Sequence, residues 1–301
     1  MPKVMQETLF TKLRSKQRSA IEGVGMDFKR KKDFLVCIDS DGCAMDTMNL
    51  KHYRAFGPEL VKIFNLQDHA EPILHYWNKI NLFSKKRALN RFKGFFEVCR
   101  YIDKHFIPVD GLDAYERFLN SGGLLSNDGI RHAYQTIGHP IFACAEQWSI
   151  NVNKAIAAIP LEDRIPFPNV YESIEAIHAV ADIAVVSSAH RAAITAEWEQ
   201  AGLTKWVSGI FTQEDGNKKH VIASLKQIGG YHDGYIIKIG DAPGDLQAAH
   251  SNAVFFYPII PEKEAECWLT LKDTYLPLFI GGRYADYEPQ LIERFYSELE
   301  D

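Results

Sequence analysis

The stretch Phe34-Leu35-Val36-Cys37-Ile38-Asp39-Ser40-Asp41-Gly42 decides the fold. Its first five residues are apolar and rich in β-formers, too few for a helix, and read as a strand buried on both faces. The run stops on two carboxylates that flank a serine and precede a glycine. Three later runs behave alike. Ile183-Ala184-Val185-Val186 stops at Ser187, Tyr235-Ile236-Ile237-Lys238-Ile239 stops at Gly240-Asp241, and Ala253-Val254-Phe255-Phe256 stops near Pro258. Helical patterns at 190–202, 218–228 and 243–251 lie between them. This alternation predicts an α/β fold, a Rossmann-like parallel sheet with helices on both faces.

From 47 to about 168 the apolar spacing is helical almost throughout. Ala88, Phe92, Phe95, Phe96, Cys99, Ile102 and Phe106 fall on one stripe of a helix turned at about 100° per residue. Gly111, the pair Gly122-Gly123 and the Pro166/Pro168 stretch supply breaks. The expected division is therefore an amphipathic N-terminal extension at 1–32, a discontinuous sheet domain at 33–46 and 169–301, and an all-helical insertion at 47–168. Residues 1–32 carry Leu9, Phe10, Leu13 and Ile21 among charges and end in Lys29-Arg30-Lys31-Lys32, read as a solvated lead-in, with a membrane-surface or polyanion contact as the alternative.

The chain of 301 residues is 46% hydrophobic and 24% charged, within the ordinary globular range. A formal charge of -5 leaves no global excess of cations for a phosphate backbone, so nucleic acid is not an expected partner. Five cysteines, Cys37, Cys43, Cys99, Cys144 and Cys267, are widely spread with no CxxC pair, which fits reduced thiols in a cytoplasmic protein better than disulfides or structural zinc. The first thirty residues contain no apolar run suited to a signal peptide or membrane span, and no membrane association is expected.

Ligands of an open parallel sheet bind beyond the carboxyl ends of its strands. There the chain places Asp39-Ser40-Asp41-Gly42, Ser187-Ser188, Lys218 and Gly240-Asp241-Ala242-Pro243-Gly244-Asp245. Acids together with a hydroxyl and an ammonium suit a magnesium ion and a phosphoryl group. The ion takes hard oxygen ligands, which Asp39, Asp241 and Asp245 offer. The phosphoryl oxygens need cationic and neutral donors such as Lys218 and Ser187, with the helix starting near Ala189 adding its positive end. Lys218 lies about 30° from the centre of the stripe Val221, Ile222, Leu225, Ile228, and Lys219 about 130° away, so Lys218 is the better candidate. Ser187 is preferred to Ser188 because it directly follows the strand.

The order DxDG, Ser, Lys, GDxxxD, with a helical block after the first motif, resembles the haloacid dehalogenase superfamily of aspartate-nucleophile phosphotransferases over about 33–257. The resemblance implies that Asp39 is the nucleophile and that Asp41 is the general acid/base, offering its backbone carbonyl to Mg2+. It implies that Ser187 binds the phosphoryl oxygens, that Lys218 orients the nucleophile, and that Asp241 and Asp245 hold the metal. Residues 47–168 would be a helical cap, long for its class, and Cys43 stands where the family usually has Thr or Val. The implied activity is an Mg2+-dependent phosphatase acting on a small phosphorylated metabolite. The alternatives are a phosphomutase of the β-phosphoglucomutase type and a non-catalytic phosphate-binding scaffold. Asp41 argues against carbon–halogen cleavage, which needs no acid for the halide.

Ser188, Lys85, Arg91 and His52 are further substrate-binding candidates. Lys85 and Arg91 belong to a basic stretch, Ser84 to Lys93, that also reads as a solvated helix face. His52 lies one residue out of register with a hinge histidine of β-phosphoglucomutases and also reads as a surface or packing residue. Asp46 is expected to cap the first helix of the insertion.

Overall fold

A computed structural model describes residues 28–301. The predicted helix carrying Leu9, Phe10, Leu13 and Ile21 lies outside the described residues. Two units cluster separately: residues up to Met45 with Pro166–Phe295, and Asp46–Ile165 with Tyr296–Asp301.

The first unit is a five-stranded, wholly parallel sheet: β1 Phe34–Ile38, β2 Ala181–Val186, β3 Gly209–Phe211, β4 Ile236–Gly240 and β5 Phe255–Pro258. The strand order is β3-β2-β1-β4-β5. β1 is central, with Ile38 paired to Val185 on one side and to Ile239 on the other, so the residues just past these positions emerge side by side. β2 and β4 are buried along their whole length, as strands covered on both faces must be. The crossover helices Arg191–Gln200 and Pro243–His250 fall within the predicted spans, and Lys218–Gly229 runs one residue past its own. The chain is thus an α/β protein with a Rossmann-like parallel sheet, and the motif-bearing ends of β1, β2 and β4 lie side by side.

Asp182, buried at the opposite end of β2, accepts hydrogen bonds from the backbone N–H groups of Lys31 (2.8 Å) and Lys32 (3.0 Å) and from the Tyr231 hydroxyl (2.7 Å). Arg30 donates to the Gly230 carbonyl and lies 4.9 Å over the Tyr231 ring. The basic tract thereby has its backbone fastened to the sheet unit. Residues beyond β5 form the helices Glu264–Thr270, Leu276–Ile280 and Glu288–Ser297. They contribute buried aromatics: Phe279 packs edge-on against Phe34 and Tyr284 against Phe255, and the Tyr284 hydroxyl donates to the Phe256 carbonyl.

The second unit is helical, built on a buried aromatic cluster of Trp77, Phe95, Tyr115, Phe142 and Trp148. Each such ring removed from water contributes about 1.5–3 kcal/mol. The structure changes several expectations here. The helix of the predicted stripe is Arg91–His105; Ala88 is outside it with φ of 57°, and the Asn90 side chain caps the first turn by accepting from Phe92 N. Thr47, not Asp46, occupies the N-cap position of the first helix, Met48–Lys51. The basic stretch is no solvated helix face, since Ser84 and Arg87 are buried and Lys86 pairs with Glu97. Finally, the last six residues, expected in the sheet domain, belong to the helical unit. Glu300 N donates to the Phe83 carbonyl and Lys85 N to the Glu300 carbonyl, both at 2.8 Å, and Leu299 is buried.

Candidate functional site

β1 delivers Asp39 into a buried position, where its backbone N–H donates to the Ile239 carbonyl at 3.0 Å and its Oδ1 accepts from Ser40 N at 2.8 Å. The chain then curls around a single carbonyl, that of Ser40, which accepts from the N–H groups of Cys43, Ala44 and Met45. Gly42 makes that curl possible with φ of 76°, a region that side chains with a Cβ enter at a cost. Two buried tryptophans hold the loop from outside: Trp198 Nε1 donates to Ser40 Oγ at 2.9 Å, and Trp268 Nε1 donates to the Cys43 carbonyl at 2.8 Å. Both are separated from the loop by more than 150 residues, and nothing in the sequence pattern marks them as its supports.

β4 ends at Gly240, Asp241 follows it, and Pro243 opens the next helix as its first residue, a position where its missing N–H costs nothing. Asp245 falls in that first turn, where the helix N-terminus favours an acid. A side chain at Gly240 would not fit, because an added Cβ would lie 2.4 Å from both Cβ and Cγ of Asp245. The glycine of the GDxxxD motif is therefore set by the close approach of the second aspartate.

Lys218, the first residue of its helix with its side chain 13% exposed, joins the two segments. Its Nζ donates to Asp39 Oδ2 at 2.5 Å and to Asp245 Oδ1 at 2.7 Å. A second ammonium, that of Lys238 in the middle of β4, lies 3.0 Å from the same Asp245 oxygen and is wholly buried. The candidate Lys238 went unread in the sequence, although a lysine inside an otherwise apolar strand is a visible signal. Carboxylate oxygens of Asp39, Asp241 and Asp245 lie within 4.8 Å of one another. The Asp41 carboxylate is not among them; Asp41 is half-buried and forms a β-bridge with Met45.

The electrostatics follow from burial and crowding. Burial, then repulsion from Asp245, pushes Asp39 above the ordinary carboxylate range, against the opposing pull of Lys218 and Lys238. Burial acts on Asp245 in the same direction, but Lys218 and Lys238 together hold it low. Burial alone would lower Lys218, yet the two acids it bridges raise it, so it stays charged. Cys43 is buried beside these acids and its thiol is pushed well up, which makes it a neutral packing group. The three acids fit a divalent cation on one further observation: Asp245 Oδ2 is buried without a hydrogen-bond partner, which is costly unless a cation satisfies it.

Ser187 is buried at the end of β2, its N–H donating to the Phe211 carbonyl and its Oγ accepting from Ala189 N at 3.1 Å, while Ser188 is exposed. The following helix begins at Arg191, two residues later than expected. Its first N–H faces the Glu214 carboxylate at 3.3 Å, so the helix terminus already has an anion.

The remaining candidates sit in the helical unit. Lys85 forms an exposed ion pair with Asp301. Arg91 is anchored from Nη1 to Ser149 Oγ (3.0 Å) and Asn153 Oδ1 (2.7 Å), and its guanidinium lies 5.0 Å over the Phe56 ring. His52 Nδ1 accepts from Trp77 Nε1 at 3.0 Å and the imidazole stacks on Phe56, a packing arrangement. Among the described residues, no helix is long and apolar enough to cross a membrane.

No family model matches the chain, and no curated protein matches it. Solved structures similar to it include a haloacid dehalogenase-like family hydrolase of Streptococcus pneumoniae, 13% identical, covering 78% of this chain and 90% of that one with a TM-score of 0.44. A haloacid dehalogenase-like family hydrolase of Xanthomonas campestris is 14% identical over 78% of this chain and 86% of its own, with a TM-score of 0.44. The L-2-haloacid dehalogenase of Xanthobacter autotrophicus is 12% identical over 83% and 86%, with a TM-score of 0.39.

Proposed function

We propose that this protein is a magnesium-dependent phosphatase that hydrolyses a small phosphorylated metabolite through a phosphoaspartate at Asp39. The observation that carries the reading is the buried cluster in which Lys218 bridges Asp39 and Asp245 within reach of Asp241. In this reading Asp39, Asp241 and Asp245, with the Asp41 backbone carbonyl, hold Mg2+, which supplies a positive charge for the phosphoryl oxygens. Lys218 fixes the angle of the Asp39 carboxylate and keeps one of its oxygens engaged, so the attacking geometry is set before substrate arrives. Ser187 Oγ offers a hydroxyl to the phosphoryl group, with Ser188 beside it. Asp41, whose carboxylate is not one of the three clustered ligand groups, is left for proton transfer to the leaving oxygen. The helical unit would act as the cap that selects the substrate.

A panel of phosphorylated metabolites assayed with and without Mg2+ tests this reading. Phosphate release is expected to require the cation, to vanish with chelator and to return on adding Mg2+. Full activity in excess EDTA overturns it.

Arg91 has no carboxylate partner among the described residues, whereas Lys85 is paired with Asp301. If Arg91 receives an anionic part of the substrate, Arg91→Ala raises KM by about tenfold or more with kcat nearly kept, because lost uniform binding appears in KM. Lys85→Ala is expected to leave both parameters unchanged. Equal KM values for Arg91→Ala and wild type on the natural substrate would return this arginine to a purely packing role.

A further inference from the structure

Burying an ammonium costs several kcal/mol unless it is paired and hydrogen-bonded, and a strand interior is filled more cheaply by Val or Ile. Lys238 nevertheless stands in the middle of β4, opposite Cys37 of β1 and Phe256 of β5, and is wholly buried. Its Nζ reaches two groups, Asp245 Oδ1 at 3.0 Å and the Val186 carbonyl at 3.4 Å. Asp245 Oδ1 already has Lys218 at 2.7 Å, so holding that oxygen in place does not require a second lysine. What Lys238 adds is charge.

With its three acids ionised, the set Asp39, Asp241, Asp245 and Lys218 carries -2, and a divalent cation would neutralise it. Adding Lys238 makes the set -1 before the cation arrives and +1 afterwards. We propose that Lys238 is a built-in counter-charge that loosens the hold on the divalent cation and leaves the loaded site positive for the phosphoryl dianion. The inference rests on the reading of the three aspartates as a cation site. It predicts two effects of opposite sign, which loss of packing would not produce.

The test uses full-length wild type with Lys238→Gln, which keeps an N–H donor for Asp245, and Lys238→Met, which keeps the volume. Both lose the charge. Native fold is checked by near-ultraviolet circular dichroism, and one folded variant suffices. Calorimetric titration with Mg2+ is expected to show affinity about ten- to a hundredfold tighter than wild type, since a unit charge within a few ångströms of a divalent cation is removed from a low-dielectric site. Correspondingly, Mg2+ should raise the Tm of the variants more than that of wild type. Titration of the Mg2+-saturated proteins with inorganic phosphate should show weaker binding in the variants by a similar factor. Unchanged or weaker Mg2+ affinity in a folded variant overturns the counter-charge role while leaving the cation site standing. Absence of Mg2+ binding in the wild type itself overturns the cation site and this inference with it.

Discussion

Asp39→Asn is expected to reduce phosphate release by about 10⁴–10⁶-fold, the scale on which loss of an attacking group is felt when the rest of a site survives. The aspartate uses both oxygens: Oδ1 accepts from Ser40 N and Oδ2 from Lys218. An asparagine offers one acceptor. Its amide either abandons the Ser40 N–H or turns an NH2 toward the ammonium, and in neither orientation is there an anionic oxygen to attack phosphorus. The fold should not suffer, because the carboxylate removed is repelled by Asp245 and Asp241. The check has two parts. The wild type incubated with labelled substrate and quenched in acid should retain label that hydroxylamine releases, as an acyl phosphate does; the variant should retain none. Its Tm should stay close to that of the wild type. Turnover of Asp39→Asn at the wild-type rate would remove this residue from the chemistry.

The sheet was legible where burial is two-sided and weak where it is not. β1 matches its apolar run, Phe34–Ile38, residue for residue, and Lys218 was separable from Lys219 because a helix face fixes direction. β3 escaped notice: it is a three-residue edge strand, Gly209-Ile210-Phe211, half-buried in two of its positions, with neither the length nor the pattern to stand out. The helix at 91 begins later than its stripe because Asn90 caps it and Ala88 adopts a left-handed backbone, which periodicity does not register. The identities of the cluster Asp39, Lys218, Asp241 and Asp245 were readable from order and placement. Their supports, Trp198, Trp268 and Lys238, act across 158, 225 and 52 residues through Ser40, Cys43 and Val186, and such distant pairings are a property of the folded chain. The docking of Glu300 between Phe83 and Lys85 is of the same kind: a short backbone pairing near the chain's end with no periodic signature.

Asp41→Asn separates proton transfer from attack. Asp41 lies on the same curl as Asp39, where Gly42 and the β-bridge to Met45 set its position, yet its carboxylate stays outside the cluster of acids. Its replacement should therefore leave Mg2+ binding and the Asp39–Lys218 pair intact. What it should remove is the proton given to the departing oxygen, a contribution of about 10²–10⁴ in rate. The size of the loss should depend on the substrate. An alkyl phosphate expels a basic alkoxide and needs the proton, whereas a nitrophenyl phosphate expels a stable phenolate and needs little help. The variant should accordingly lose most activity on alkyl esters and much less on nitrophenyl phosphate, so that a plot of rate against leaving-group pKa becomes steeper than for the wild type. Burst kinetics on the nitrophenyl ester should appear, because the phosphoenzyme then forms readily but lacks the base that helps water release it. If poor and good leaving groups are slowed by the same factor, Asp41 is not the general acid, and its place beside Asp39 would have to be explained by the loop geometry alone.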